Sequence, residues 1–476
     1  MADEREVDIC VIGAGAAGLS VAAGTAQMGA STVLVERGEM GGECLNSGCV
    51  PSKALLASAR TAALVARAPA LGVRLNGADV EFADVSKHVH ATIAAIAPND
   101  SVERFEGLGA TVIKGSARFV SPRAIEVDGM RIGARRFVIA TGSRPLVPPI
   151  PGLAEAGYLT NETVFDLAQL PEHLIIVGGG PIGVELAQAF RQLGARVSVL
   201  EQFSVLARDD PELAGVVRDR LVDDGVAIRE GATVTHVQRT DKRVVVTVRD
   251  SNGAEDTVEG SHVLVAAGRR ASVDDLGLET AGIAFDADGV KVNARLRTDN
   301  RRVFAIGDVV RGGHRFTHMC TYHAAIVIRN ALFRIPARVR LDAFPWVTFT
   351  APELAQVGLT EQQAVAKGGG IRILRWPFAD IDRARAEAEI DGLVKVVATP
   401  RGRILGAGIV GPHAGELIQT WVLAIQERLG LGAIAKMVSP YPTFGEVSKR
   451  AAGSFFAPAL FGPQTRRLVR WLRHLG

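Results

Sequence analysis

Two stretches of this chain follow the same plan, and that duplication restricts the fold more than any other feature. Val7-Asp8-Ile9-Cys10-Val11-Ile12 is a short apolar run of strand character that enters Gly13-Ala14-Gly15-Ala16-Ala17-Gly18. An alanine-rich helix to Met28 follows, then a second strand, Ser31 to Val35, ending in Glu36. Leu174-Ile175-Ile176-Val177 repeats the plan through Gly178-Gly179-Gly180-Pro181-Ile182-Gly183, a helix to Leu193, a strand from Arg196 to Leu200, and Glu201. Glycines at this spacing make a tight turn and admit a pyrophosphate to a helix N-terminus. An acid about 20 residues on takes a ribose hydroxyl. A bare GxGxxG is weak, but strand, turn, helix, second strand and terminal acid together predict a dinucleotide site. The first uses Gly13, Gly15, Gly18 and Glu36; the second uses Gly178, Gly180, Gly183 and Glu201.

Between the two units lies Gly41-Gly42-Glu43-Cys44-Leu45-Asn46-Ser47-Gly48-Cys49-Val50-Pro51-Ser52-Lys53. A disulfide needs Cα atoms roughly 4.4–6.8 Å apart, and residues five apart on a straight helix do not meet that. A bridge here has to distort a helix start, for which Gly48 and Pro51 supply the means. A helix N-terminus also favours thiolate over thiol. The stretch reads as a redox-active dithiol. A stapling disulfide or half of a zinc site is the alternative, although zinc sites use closer cysteine pairs and a second ligand pair that the sequence lacks.

The stretch resembles the active-site signature of the pyridine nucleotide–disulfide oxidoreductases, a family that includes dihydrolipoamide dehydrogenase, glutathione reductase and mercuric reductase. The resemblance implies an α/β fold with two Rossmann-like dinucleotide-binding domains, for FAD and NAD, plus a carboxyl-terminal α+β dimerisation domain. It implies a Cys44–Cys49 disulfide, with Cys10 and Cys320 free. Cys44 would exchange with substrate, and Cys49 would lie against the flavin as a charge-transfer thiolate. Lys53 would sit near the flavin, paired with Glu185, and Gly42 would border the cofactor. Thr141 and Gly142 close the first part of the flavin domain, and Gly268 ends the nicotinamide domain in the same way. Asp308 would bind the ribityl chain. The helix after Phe316 would aim its N-terminus at the flavin, with the backbone of Cys320 as the contact.

The same resemblance sets the boundaries: an FAD domain over 1–147, a nicotinamide domain over 148–271, the FAD domain resumed over 272–341, and the interface domain over 342–476. A chain of 476 residues is expected to hold several cores in any case. In that last domain, strands are expected at Ile371 to Trp376, Gly392 to Ala398 and Ile404 to Val410, with a helix from Gly415 to Leu429. Ser439-Pro440-Tyr441-Pro442-Thr443-Phe444-Gly445-Glu446 departs from the disulfide-reducing relatives, whose histidine here is Tyr441, as in mercuric reductases. The Tyr441–Pro442 bond is expected cis, and Glu446 is expected to bond Tyr441 or water.

A net charge of +3 and the lack of a basic run with interleaved aromatics in the body of the chain argue against nucleic acid. Met1 to Val7 lacks a basic, apolar leader, and four cysteines suit a cytosolic enzyme with one working pair. The expected location is cytoplasmic. The longest apolar runs carry glycine, proline or charge, so none reads as a membrane span. His88, His90, His318 and His323 read as solvated, packing or capping residues rather than metal ligands. From 453 onward, arginines interleave with apolar residues in a tail that would touch an anionic membrane or, as the favoured reading, cover the flavin domain of its own chain.

The expected activity is transfer of electrons from NAD(P)H, with NADH preferred because of Glu201, through FAD and the cysteine pair to a disulfide, metal-ion or quinone-like acceptor, with dihydrolipoamide dehydrogenase or mercuric reductase proper as the alternatives. The enzyme would be a homodimer sharing its active sites. Mercuric reductase proper fits less well, because no cysteine pair follows Cys320 and no metal-binding module precedes the first strand. A flavin-bearing redox sensor is the non-enzymatic alternative.

Overall fold

The two repeated units build two parallel sheets. In the first, the strand Glu4–Ile12 lies at the centre, flanked in parallel by Thr32–Glu36 and by Met130–Ile139. Ala110–Lys114 extends one edge. Val303–Ala305 returns from far along the chain to pair in parallel with the last residues of Met130–Ile139. Ala117–Ser121 and Ala124–Val127 complete seven strands as an antiparallel extension. The computed structural model describes residues 4–77, 79–241 and 243–475; Met1–Asp3 and Gly476, included in the expected domain limits, lie outside them.

The apolar strand runs have the composition of a sheet buried on both faces, and Val11, Phe137, Val138 and Ile139 are fully buried. The helices Ala16–Gln27 and Thr317–Ala331 cover one face. The second unit is smaller. Ala227–Arg229, Arg196–Leu200, His173–Val177 and His262–Val265 pair in parallel, and a three-stranded antiparallel layer, Thr233–Thr240, Arg243–Arg249 and Glu255–Gly260, stands beside them. The chain crosses between the units twice. The crossings run as an antiparallel pair, Ser143–Pro145 against Arg269–Ala271.

The last unit is a five-stranded antiparallel sheet whose strands include Arg372–Pro377, Leu393–Ala398 and Ile404–Gly411, close to the expected positions. Its helix is in two pieces, Ala414–Leu417 and Gln419–Gln426, which meet at Ile418. Trp421 is fully buried there and donates to Ser448 Oγ. Lys395, buried in the sheet, reaches Asp210, Glu212 and Glu361 and so ties this unit to the second unit.

One helical stretch, 42–71, is long and apolar enough by composition to cross a membrane. It is interrupted at Ser47–Gly48, and its Lys53, Arg60 and Arg67 pair with Glu185, Glu353 and Glu389 of other units. It is a helix of the fold. The tail contradicts the favoured expectation: Ala457–Leu460 follows the helix Glu446–Ser454, but Pro463–Leu472 touches Ala457–Leu460 through Thr465 and has no buried residue, nor is any residue from 463 to 475 buried.

Candidate active site

The dithiol stretch folds as the distortion argument requires. A short helix, Gly42–Asn46, stops, Ser47 and Gly48 turn the chain, and a second helix, Cys49–Arg67, begins at the second cysteine. Gly48 cannot carry a side chain, because a Cβ would stand 2.9 Å from the Glu43 carbonyl oxygen. Gly42 has φ +58°, and a Cβ there would meet Gly15 Cα at 2.7 Å. The cysteine loop is therefore pressed against the first glycine turn. All four cysteines are free, so the structure is the dithiol form, and the expected Cys44–Cys49 bridge is open in it.

The two thiols differ. A hydrogen bond from Cys44 holds the Cys49 thiol down to about 6 against the opposing effect of burial, with help from Thr317 and the Lys53 charge. Donating to Cys49, together with burial, pushes Cys44 well above the ordinary thiol range. The anion therefore rests on Cys49. Thr317 Oγ1 lies 3.1 Å from Cys49 Sγ, so the N-terminus of the helix Thr317–Ala331 faces the thiolate, as a helix dipole favours. Lys53 Nζ stands 2.7 Å from Glu185 Oε2 and 4.5 Å above the Phe349 ring. The other oxygen of Glu185 accepts from the Phe349 N–H at 2.8 Å. Lys53 and Glu185 thus span the two dinucleotide units.

A cavity of about 2160 Å³ runs through both units. Pockets for one small ligand hold about 300–1,000 Å³, so this one has room for two dinucleotides end to end. Gly13, Gly15, Glu36, Gly42, Thr141, Gly142, Asp308 and Cys320 line one arm. Gly178, Gly180, Glu201 and Gly268 line the other, with Cys44, Cys49, Lys53 and Glu185 where the arms meet. Gly18 and Gly183 lie behind their turns: a Cβ on Gly18 would be 1.8 Å from the Gly13 carbonyl oxygen, and one on Gly183 would be 2.1 Å from that of Gly178. Glu36 accepts from the Ala14 N–H at 2.5 Å, and Glu201 accepts from the Gly179 N–H at 2.6 Å, each at the mouth of its turn. These donor sets fit FAD in the first arm and a nicotinamide dinucleotide in the second. Asp308 takes a hydrogen bond from Ser143 while facing the cavity.

Several members of the site were not singled out from the sequence. Arg269 grips Glu43 with its guanidinium, also bonds Ser143, and lies 3.8 Å from Asp308. Asn161 donates to Glu43 and to the Ser47 carbonyl. Burial pushes the Glu43 carboxyl up to about 7 despite Arg269, and the Asp308 charge adds to the rise. A glutamate between the paired glycines and the first cysteine, and an arginine directly after Gly268, were the available signals. The sequence alone did not place them together.

Tyr441 and Glu446 lie outside the cavity, on the interface unit. The Tyr441–Pro442 bond is cis, as expected. The expected Tyr441–Glu446 bond is absent. Tyr441 Oη donates to Asp382 Oδ2 at 2.8 Å, which raises its pKa, and the ring is 70% exposed. Glu446 instead receives two bonds from Arg450 one helical turn on, the nearer partner on its own helix. His323 and His318 are packing groups, the first buried and accepting from the Gly307 N–H and the second stacked on Phe344, while His88 and His90 lie exposed on the helix Phe82–Ile96. Among the described residues no cluster of three acidic, histidine or cysteine residues suits a metal ion.

Residues 7–326 match the family model described as pyridine nucleotide-disulphide oxidoreductase, and residues 344–452 match its dimerisation domain. The chain is 34% identical over 458 residues to a mercuric reductase of Lysinibacillus sphaericus, covering 95% of this chain and 83% of the relative. It is 32% identical over 456 residues to a dihydrolipoyl dehydrogenase of Geobacillus stearothermophilus, covering 94% and 96%. The solved Cu(II) complex of the HOCl-induced flavoprotein disulfide reductase RclA from Escherichia coli superposes with a TM-score of 0.85 at 27% identity, covering 94% of this chain and 99% of that one.

Proposed function

Since this chain belongs to the pyridine nucleotide-disulphide oxidoreductase family, an FAD-dependent group with a dimerisation domain, we propose that it is an NADH-dependent reductase of a quinone-like or soft-metal acceptor rather than of lipoamide or glutathione disulfide. FAD, when bound, supplies the two-electron carrier between the nicotinamide arm and the cysteine pair. The chain supplies the rest. Lys53 and Glu185 hold the junction of the two arms, and the Lys53 charge favours the Cys49 thiolate while that of Glu185 opposes it. Two electrons and one proton open the Cys44–Cys49 disulfide to the Cys44 thiol and Cys49 thiolate described here. Passing the two electrons to an acceptor closes the disulfide again and releases the Cys44 proton.

The observation that carries the acceptor reading is Tyr441. Cys44 holds its proton tightly, so exchange with a substrate disulfide needs a base near neutral pH. The position where relatives carry histidine offers a phenol whose proton is committed to Asp382 and whose pKa is raised. Quinones or dyes need no such base at that position. Glu201, facing the second glycine turn, supports NADH over NADPH, because a ribose 2′-phosphate would meet like charge. A count of four cysteines, with one working pair, supports a cytoplasmic setting.

A panel of lipoamide, glutathione disulfide, a quinone and Hg(II), assayed with NADH, tests the reading. Lipoamide turnover should be about 10²–10⁴-fold below that of enzymes with the histidine. Tyr441→His should raise lipoamide turnover and leave quinone reduction level. Ordinary lipoamide turnover by the unaltered enzyme would refute it.

A further inference from the structure

The redox site leaves the carboxyl-terminal helix Pro463–Leu472 unused. At 100° per residue, Leu468, Val469, Trp471 and Leu472 fall within a sector of about 160°, and Arg466, Arg467, Arg470 and Arg473 project from the opposite side. The apolar side is open: Trp471 is 60% exposed and Leu468 53%. Phe461, just before the helix, is 69% exposed. No acidic residue occurs between 447 and 476, and among the described residues none of the four arginines has a carboxylate partner. The helix also lies beyond residue 452, where the match to the dimerisation domain ends.

We propose that this helix docks the enzyme on an anionic lipid bilayer surface, lying in the plane of the interface. Two features select lipid over a protein partner. A tryptophan on the apolar side suits the headgroup level, where an amphipathic ring keeps its N–H wet. Four arginines without carboxylate partners flank that side, which matches a surface that is apolar at depth and negative at the rim. One such helix is a weak anchor. A homodimer presents two, and binding of the second becomes intramolecular.

The test is flotation of the intact, flavin-loaded enzyme with vesicles of phosphatidylcholine alone or containing roughly a third phosphatidylglycerol. Partitioning to the anionic vesicles should be about a hundredfold stronger and should fall as salt is raised. Replacing both Trp471→Glu and Leu472→Glu should abolish it while NADH-dependent dye reduction and the dimeric state stay unchanged. Arg466→Gln with Arg470→Gln, which keeps the apolar side, should weaken it about tenfold or more. Equal binding to both vesicle types, or none to either, would overturn the proposal. So would dissociation of the Trp471→Glu, Leu472→Glu enzyme into monomers, because a second copy of the chain would then be the occupant.

Discussion

The two glycine-turn units begin alike and end differently. Each has a parallel sheet, a helix starting at the turn, and a carboxylate that accepts from a backbone N–H of that turn. Even the clashes match: a Cβ on Gly13 would stand 2.5 Å from the Ala140 carbonyl oxygen, and one on Gly178 would stand 2.4 Å from that of Ala266. The first unit is then closed by chain returning from elsewhere. Val303–Ala305 extends its sheet, Asp308 enters its cavity, and the helix Thr317–Ala331 brings Thr317 to Cys49. The second unit is met only at its side, by Phe349 on Glu185 and Trp346 on Asp209; among the described residues no later strand joins its parallel sheet, and Phe203 beside its turn stays 69% exposed. One fold can thus hold a resident group and admit a visiting one. What differs is how much of the remaining chain folds over the turn.

The largest expected effect breaks the comparison directly. Gly18→Val and Gly183→Val place the same clash in each unit. The first variant should be purified without flavin, or fail to fold, since a tightly held ligand counts toward folding. The second should keep its flavin, remain reducible by dithionite and lose reduction by NADH. Equal loss of flavin in both, read from the visible spectrum, would erase the distinction.

Lys53→Met acts where the arms meet. Its effect on the thiolate is read by alkylating the dithiol enzyme across pH. In the unaltered enzyme the rate at Cys49 should rise through about pH 6 and fall away below it, because a lowered thiol pKa leaves thiolate above that value and removes it below. The variant should move that midpoint up by about one unit, since the Lys53 charge favours the anion. Glu185, 7% exposed, would keep only the Phe349 N–H, and stability should fall by about 1–3 kcal/mol in thermal unfolding.

The smallest effect separates the two carboxylates. NADH should exceed NADPH in kcat/KM by about tenfold or more. Glu201→Ala should erase that preference, whereas Glu36→Ala should leave the ratio level and loosen the flavin. A preference carried equally by both variants would contradict the assignment of arms.

The sheets and their order of use were legible because each depended on local signals: apolar runs, glycine spacing and an acid at a strand end. Cys44, Cys49 and their helix break were legible for the same reason. Arg269, Glu43 and Asn161 were not, since their contact joins positions more than a hundred residues apart and no local pattern announces it. The Tyr441 partner expected for Glu446 is missing for the opposite reason. Its family role suggested Tyr441, but Arg450 lies one turn away on the same helix and takes it. The tail differs from the favoured expectation because a segment short for a stable anchor suggested packing on its own chain, whereas its apolar side stays open opposite four arginines.

The most direct test of the account is an anaerobic titration with NADH, followed through the flavin band and at longer wavelength. Two electrons per subunit should produce a thiolate-to-flavin charge-transfer absorption that disappears as pH falls below about 6 and is missing from Cys49→Ser. Bleaching of the flavin by NADH with no such absorption, or an equal absorption in Cys49→Ser, would contradict it.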